Sequence, residues 1–422
     1  MDGDNQVTLR PTNMEKTLSN YLFEADTVFR YSGLIMYRAA TKPTDTYRVC
    51  WIGLSIWIVI VVLQSIGYFI GLLAVRLLKD SFNDVSTSFF SFIVIMGYAL
   101  FIRIYAFAKR KSAYQIIVAL NNVAISPPEG KRLIRVWRIT LLCTALLSVF
   151  HIFFVFLAHY IALFSCKVTC FGANITERVF LMFVDLTYYP QVLLACAYFY
   201  TGVGFVTYLF NRFLLQFRTL PTDEASFSKC WHKFKELVKL VELLDDSLAY
   251  LLLASMVVTT LSICFSAFYF ITGNTLDAGL FGDYVHQKEF LYIFYGIRMA
   301  ENTLLVVVIL YCCAVSAIKL NHKSREAKTL LTDLDWDIRN AASSFNIQFH
   351  QFMSKLEDHS WGLSAGHLFL IQKKSLLTIV SGSFTLVVMW IRFNFSDQIL
   401  KKKECYCPCG VNGTLTLSET LL

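Results

Sequence analysis

Seven long apolar runs constrain this chain more than any other feature of its sequence. Each has about 20 or more residues and few charges, which is the length a helix needs to cross the roughly 30 Å hydrocarbon core of a bilayer. Only 16% of the 422 residues are charged, compared with about a quarter in soluble domains. The fold class that we predict is an all-α, polytopic membrane protein. The runs cover 51–75, 87–108, 139–164, 180–209, 248–272, 290–318 and 375–393.

The distribution of lysine and arginine gives these predicted spans a direction. Of the 38 Lys and Arg residues, 27 fall in the N-terminal arm and in the second, fourth and sixth connections, and only 8 in the other connections and the C-terminal tail. Because Lys and Arg are retained on the cytoplasmic side, we predict the N-terminus inside and, with seven spans, the C-terminus outside. The chain then divides into a cytoplasmic arm (1–50), a seven-helix domain of the plasma membrane (51–393) and an extracellular tail (394–422).

Residues typical of extracellular surfaces fall on the predicted outer side. N-glycosylation sequons begin at Asn174, Asn394 and Asn412. Asn394 lies close to the membrane, which leaves Asn174 and Asn412 as the glycosylation candidates. Cys166 and Cys170 are candidates for a disulfide, since disulfides persist outside the cell.

Two of the inner connections have helical patterns of their own. In 210–247 and 319–374, large apolar residues recur mostly at steps of three and four, with charged residues of both signs between them. This pattern predicts amphipathic helices. They lie on the membrane surface, or they extend below the bilayer and pack together as a cytoplasmic anchor between subunits. The mixed charge favours the anchor, because surface helices are more often markedly basic.

The sequence lacks the common motifs of catalysis and cofactor binding. It has no glycine-rich phosphate loop after a strand, no G-x-S-x-G, no H-E-x-x-H and no C-x-x-C pair at zinc spacing. Cys405, Cys407 and Cys409 in the tail lack a fourth ligand at the usual spacing. We therefore expect no enzymatic activity, no cofactor, no metal and no nucleic-acid partner.

Polar and aromatic residues at similar depth in several spans form a candidate ligand pocket. Ionisable groups inside a membrane usually face a protein interior, a partner or water. Arg298 and Glu301 are three residues apart and can pair with each other, either as a structural clasp or as part of the pocket. A mostly apolar cavity with a few polar anchors is the usual small-molecule site, although aromatic residues also form interfacial belts. The candidates are His159, Asp185, Tyr188, Tyr189, Tyr292, Tyr295, Arg298 and Glu301, with His151 as a further ionisable residue of the third span.

The C-terminal stretch is the most specific part of the sequence. A helix with spaced Phe and Leu precedes a Gly-x-x-x-hydrophobic entry to the seventh span, and the span contains Thr385, five apolar residues at 387–391 and Phe393. Over about fifty residues this resembles the C-terminal segment of arthropod gustatory receptors and the gustatory-receptor-like branch of the insect chemoreceptor superfamily. That family has T-Y-(five apolar)-Q-F in this span. Leu386 and Arg392 here replace the Tyr and the Gln.

The resemblance implies a ligand-gated cation channel built as a homo- or heterotetramer. The seventh span of each subunit would line the pore, and the inner helices would join the subunits. A small, tastant-like molecule would bind in an outward-opening pocket within each subunit. The signature positions of the pore helix are Thr385, Leu386, Trp390, Arg392 and Phe393.

Arg392 departs from the family pattern in a way that affects conduction. Four guanidinium groups near the axis of a narrow pore would repel cations. The pore could then pass anions, the arginine could turn towards the lipid headgroups, or the subunit could require a partner.

Two other classes of membrane protein also fit seven spans. A G-protein-coupled receptor needs its N-terminus outside, and its D-R-Y and N-P-x-x-Y motifs are absent here. A transporter should show internal repeats or paired broken helices, and neither is evident in the sequence.

Overall fold

The computed structural model describes residues 51–77, 84–121, 127–165, 175–218, 224–272, 299–333, 343–357 and 361–404. In these ranges the chain is helical apart from one short hairpin. The helices are α1 (Trp51–Leu77), α2 (Asp84–Ala108), α3 (Arg110–Asn121), α4 (Pro127–Ser165), α5 (Ile175–Arg218), α6 (Glu224–Thr272), α7 (299–333), α8 (Ser343–Glu357) and α9 (Lys373–Glu404). Helix α7 contains a π-helical turn at Leu310–Val315 and continues as Ser316–Asp333.

Five of these helices are long and apolar enough to cross a membrane. The qualifying stretches are Trp51–Ile70, Pro128–Leu157, Leu186–Arg218, Ala225–Ala267 and Met299–Leu330, and α2 has a shorter apolar stretch, Ile93–Ala108. The protein is therefore a predominantly helical, multi-pass membrane protein. The seventh predicted span lies in α9, which is not among the five, so the number of spans and their direction remain predictions.

Helices α5 and α6 are too long to fit within a bilayer. Helix α6 has 49 residues and is about 74 Å long, more than twice the thickness of the hydrocarbon core. It is uninterrupted because no Gly or Pro occurs between Glu224 and Thr272. Helix α5 has 44 residues, and Pro190 inside it does not end the helix. Each helix must therefore extend beyond the apolar layer at one end.

An aromatic core joins the extended ends of α5 and α6 to α8. Phe217, Phe227, Phe234 and Phe352 are fully buried. The Phe352 ring lies with its centroid 4.7 Å from that of Phe234 and 5.8 Å from that of Phe227. Aromatic pairs at such distances add stability beyond the area they bury. These extensions form one packed unit, whereas their place on the cytoplasmic side and their role as an anchor between subunits remain predictions.

A short hairpin separates α8 from α9, within the range 319–374 that we predicted to be helical. Strands β1 (Ser364–Ala365) and β2 (Phe369–Leu370) pair antiparallel. Gly362 has φ +139° and Gly366 has φ +60°, conformations that a helix cannot contain. The pattern of apolar residues missed this break because each strand has only two residues.

Candidate functional site

A buried cluster of polar and aromatic side chains joins α4, α5 and α7. His151 Nδ1 of α4 is within hydrogen-bond distance of the Glu301 carboxylate of α7, and both side chains are almost completely shielded from solvent. Separating the partners would strand a polar group in a medium of low dielectric constant.

Two tyrosines of α5 complete this cluster. The Tyr189 ring stacks on the His151 imidazole with a centroid distance of 4.1 Å and an interplanar angle of 4°. Tyr188 meets the same imidazole edge to face at 5.9 Å. Tyr188 and Tyr189 are 1% and 2% exposed, so their rings are part of the core rather than of an interfacial belt.

A second buried polar link lies on α5 close to these tyrosines. Gln191 Nε2 donates to the carbonyl of Ala99 on α2 at 2.8 Å, and its Oε1 accepts from Gln64 Nε2 of α1 at 2.7 Å. Both glutamines are 2% exposed. Together the two sets of contacts connect α1, α2, α4, α5 and α7.

The structure unites only some of the predicted pocket residues. Tyr188, Tyr189 and Glu301 meet around His151. Glu301 was predicted to pair with Arg298, which lies outside the described residues. Tyr292 and Tyr295 also lie outside them, as do Asn174, Asn412, Cys166 and Cys170. The side chains of His159 and Asp185 are not described, although their backbones lie in α4 and α5.

Helix α9, the predicted pore helix, packs on its own subunit through a narrow face. Ser383 and Val387 are buried, and Cys264 Sγ of α6 lies 3.6 Å from the Ser383 carbonyl. Among the described side chains elsewhere on the helix, Leu377 is 70% exposed and Phe384 is 69% exposed. Most of the described surface of α9 therefore contacts nothing within this single chain.

The face of α9 opposite to α6 is polar. At 100° per residue, Thr378, Ser381, Thr385 and Arg392 lie within about 40° of the direction opposite Ser383, and the apolar Val388 lies at the edge of the same sector. The described side chains of Thr385 and Arg392 are exposed, and Leu386 is 53% exposed on a flank of the helix. The side chains of Trp390 and Phe393 are not described. Polar and apolar faces thus alternate around α9.

The hairpin that leads into α9 is fixed to α6 by Asp245. The Ser364 N–H donates to Asp245 Oδ1 at 2.6 Å, and the Ser364 hydroxyl lies 2.9 Å and 3.0 Å from the two carboxylate oxygens. His367 Nδ1 is 3.1 Å from Asp245 Oδ2. Ser364 and His367 both bond directly to the Asp245 carboxylate. These three residues therefore attach the hairpin to α6 and do not form a Ser–His–Asp relay, in which the histidine would lie between the serine and the aspartate.

The hairpin is also fixed to α7 by Asn321. Asn321 Nδ2 donates to the carbonyls of Leu363 at 2.9 Å and Ile371 at 3.0 Å, and its Oδ1 accepts from the Leu363 N–H at 2.7 Å. The Gly366 N–H donates to the Ala249 carbonyl of α6 at 2.8 Å. The start of α9 is therefore held by α6 and α7 together.

Sequence reasoning did not find Gln64, Gln191, Asp245 or Asn321. A polar residue in an apolar run is a visible signal for the two glutamines. No comparable signal marks Asp245 and Asn321, because their partners are 119 and 42 positions away. Within the described residues, no group of three or more His, Cys, Asp or Glu could hold a metal ion.

Comparisons with known proteins bear on the fold. No protein-family model matches the sequence, and no curated protein matches it either. The chain is similar to the solved structure of the insect olfactory receptor OR5 from Machilis hrabei in complex with eugenol, with a TM-score of 0.67 and 10% identity over 89% of this chain and 98% of that chain. It is similar to the structure of that receptor itself, with a TM-score of 0.63 and 11% identity over the same shares. The chain therefore has the fold of an insect olfactory receptor.

Proposed function

We propose that this protein is a chemosensory receptor, of the gustatory-receptor-like type, that acts as a ligand-gated ion channel and not as an enzyme. The observation that carries the proposal is the way in which polar and apolar side chains are distributed around α9. One face contacts α6, the opposite face carries hydroxyls and Arg392, and the flanks are apolar. This distribution suits a helix that packs on its own subunit, contacts copies on its flanks and presents a polar face to a central pore. The similarity in fold to an insect olfactory receptor supports it.

The same helix supports assembly as a homo- or heterotetramer, in which four copies of α9 surround one axis. Polar side chains in a pore can coordinate or repel ions, whereas the same side chains facing lipid would be costly. Thr378 and Thr385 donate their hydroxyl hydrogens to the carbonyls of Lys374 and Ser381, both at 3.0 Å. Their oxygen lone pairs remain available to a passing ion.

Cysteine accessibility combined with whole-cell recording tests this pore. We expect a charged thiosulfonate reagent to block ligand-evoked current in Ser381→Cys and Thr385→Cys. Ser383→Cys is the matched control, because Ser383 is buried against α6 and its thiol should not react. Block of all three variants, or of none, would contradict a pore lined by this face. Sugars, bitter compounds and eugenol form the panel of test ligands.

Arg392 determines ion selectivity in this proposal. It lies on the same face as Thr385, and in this proposal that face is turned to the axis. Arg392→Gln removes one positive charge from each subunit near the pore and should raise the permeability of cations relative to anions. The shift in reversal potential under a salt gradient measures it. An unchanged reversal potential in a conducting variant would place Arg392 away from the ion path.

The ligand site that we propose is the cluster of His151, Tyr188, Tyr189 and Glu301 together with the outward part of the same helices. The similar olfactory receptor was solved with eugenol bound, which supports a small-molecule ligand here. Tyr188→Phe retains the ring and removes the hydroxyl, so it should shift the concentration for half-maximal response if the ligand bonds to that hydroxyl. The matched control is Tyr250→Phe, on the exposed side of α6. Equal response curves for both variants and the wild type would exclude the Tyr188 hydroxyl from the site.

The orientation is a further part of the proposal, with the N-terminus in the cytoplasm, the tail outside and the protein in the plasma membrane. A glycan on Asn412 or Asn174, removed by Asn→Gln substitution, would support it, and so would a disulfide between Cys166 and Cys170. A glycan on Asn412 is incompatible with the inside C-terminus of a G-protein-coupled receptor.

A further inference from the structure

A groove with a basic rim runs between the extended end of α6 and helix α8, beside the aromatic core. It has a volume of about 980 Å³. Helix α6 contributes positions 231, 235, 238, 239 and 242, and helix α8 contributes 347, 350, 351, 354 and 355. Both sets follow steps of three and four residues, so each helix turns one complete face towards the groove. Two rigid elements therefore build it.

The floor of the groove is apolar and well packed. Trp231 is 7% exposed and Val238 is 3% exposed. Trp231 packs on Phe352 of α8 with a centroid distance of 5.1 Å, which ties the two walls together. Because the two walls share this aromatic core, the groove is preorganised, and a ligand would lose little energy in ordering it.

The rim of the groove carries an excess of positive charge. Lys235, Lys239 and Lys355 contribute three ammonium groups, and Glu242 is the only carboxylate among the described lining residues, which leaves a formal charge of two positive units. The Lys355 ammonium lies 3.3 Å from Glu242, and the Lys235 ammonium lies 5.1 Å from the centre of the Trp231 ring. Further hydrogen-bonding groups come from His350, Gln351 and Ser354.

We propose that this groove binds a soluble, multiply phosphorylated small molecule. Lysine ammonium groups bind phosphate as point charges, and several of them around one cavity suit an anion that carries several phosphates. The volume falls in the usual range for small-molecule sites. In the proposed orientation the ligand comes from the cytosol. The binding itself requires neither channel activity nor that orientation.

The direction of the groove favours a soluble molecule over a lipid headgroup. Glu242 lies about 9 Å along the helix axis from position 248, where the predicted span 248–272 begins, and Trp231 lies about 26 Å from it. The groove therefore leads away from the membrane. A lipid headgroup could reach only the end near Glu242, whereas a soluble anion could contact its full length.

Inositol hexakisphosphate is a suitable probe for titration calorimetry on the purified full-length protein. We expect saturable binding that weakens as salt is added, since salt screens exposed charges. The double variant Lys235→Gln/Lys239→Gln should weaken binding by about tenfold, because it removes two of the three ammonium groups. Lys229→Gln is the matched control, since Lys229 is exposed on the same helix but does not line the groove.

A substitution of opposite sign keeps the proposal testable if the double variant folds poorly. Glu242→Gln removes the carboxylate, releases Lys355 and should tighten binding several-fold. The proposal would be overturned by the absence of saturable binding, by equal weakening in Lys229→Gln and the groove variant, or by binding to vesicles that contain phosphoinositides without binding of the soluble probe. Equal affinity for a poly-glutamate peptide would also overturn it, because the groove would then recognise negative charge in general.

Discussion

Asn321 and Leu363 form a reciprocal pair in which the side-chain amide of Asn321 accepts from the Leu363 N–H and donates to the Leu363 carbonyl. The two distances are 2.7 Å and 2.9 Å. A third bond, from the same Nδ2 to the Ile371 carbonyl, closes the base of the hairpin. One buried amide of α7 thus satisfies the backbone on both sides of the hairpin that leads into α9.

Removal of this amide should destabilise the protein. Asn321→Ala removes the partner of the Leu363 N–H and of the Ile371 carbonyl, whereas the Leu363 carbonyl keeps its bond from the Ile371 N–H at 3.0 Å. We expect the free energy of unfolding to fall by about 3 kcal/mol. Thermal unfolding of the purified protein in detergent measures it. His322→Ala is the control, because His322 is the exposed neighbour on the same helix. Equal melting temperatures for the two variants would show that the hairpin does not depend on Asn321.

Gly366 should be sensitive to substitution because of a close approach. A Cβ at this position would lie 2.7 Å from Leu253 Cδ2 of α6, and the residue has φ +60°. The next residue, His367, also has φ 60° and carries a side chain, so conformation alone does not exclude one here. We expect Gly366→Ala to cost about 1–3 kcal/mol, through the clash with Leu253 together with the backbone strain of a side chain at φ +60°.

The Leu253→Ala background tests that cause. If the clash dominates, Gly366→Ala should cost less there than in the wild type, and a double-mutant cycle gives the coupling between the two sites. Gly202→Ala is the control, since a Cβ on Gly202 meets nothing within 4 Å. Additive costs at 366 and 253 would assign the effect to the backbone instead.

The apolar runs predicted the helices because a helix in a bilayer needs length and apolar side chains, and both can be read locally. The hairpin between α8 and α9 could not be predicted in this way. Its strands are two residues long, and its stability comes from Asp245 and Asn321, which are distant in the sequence. Tyr188, Tyr189 and Glu301 could be proposed as site residues from their depth alone. Their arrangement around His151 depends on the packing of three helices, which periodicity does not specify.

The buried pair of His151 and Glu301 should behave as one unit. Glu301→Ala leaves the imidazole without its carboxylate in an apolar core, and we expect a loss of about 3–5 kcal/mol. Glu301→Gln retains an acceptor oxygen for His151 Nδ1 and should cost much less. Denaturation in detergent compares them. In a double-mutant cycle, His151→Ala combined with Glu301→Ala should cost less than the sum of the two single changes, and strict additivity would rule out their coupling.

Asp245 and Asp246 are adjacent in the sequence but should respond differently to the same substitution. Asp245 accepts from the Ser364 N–H and hydroxyl and faces His367, and its side chain is 14% exposed. Asp246 pairs with Lys109 at 3.0 Å, and its side chain is 53% exposed. Asp245→Asn replaces a carboxylate oxygen with a donor facing the hairpin, and we expect a loss of about 2 kcal/mol in stability. Asp246→Asn should change stability by less than about 1 kcal/mol, because exposed ion pairs contribute little. Thermal unfolding of both variants provides the comparison.

If the hairpin also transmits movement of α6 to α9, Asp245→Asn should shift the concentration dependence of ligand-evoked current, whereas Asp246→Asn should leave it unchanged. Equal responses of the two variants in both assays would show that the link between Asp245 and Ser364 has no special role.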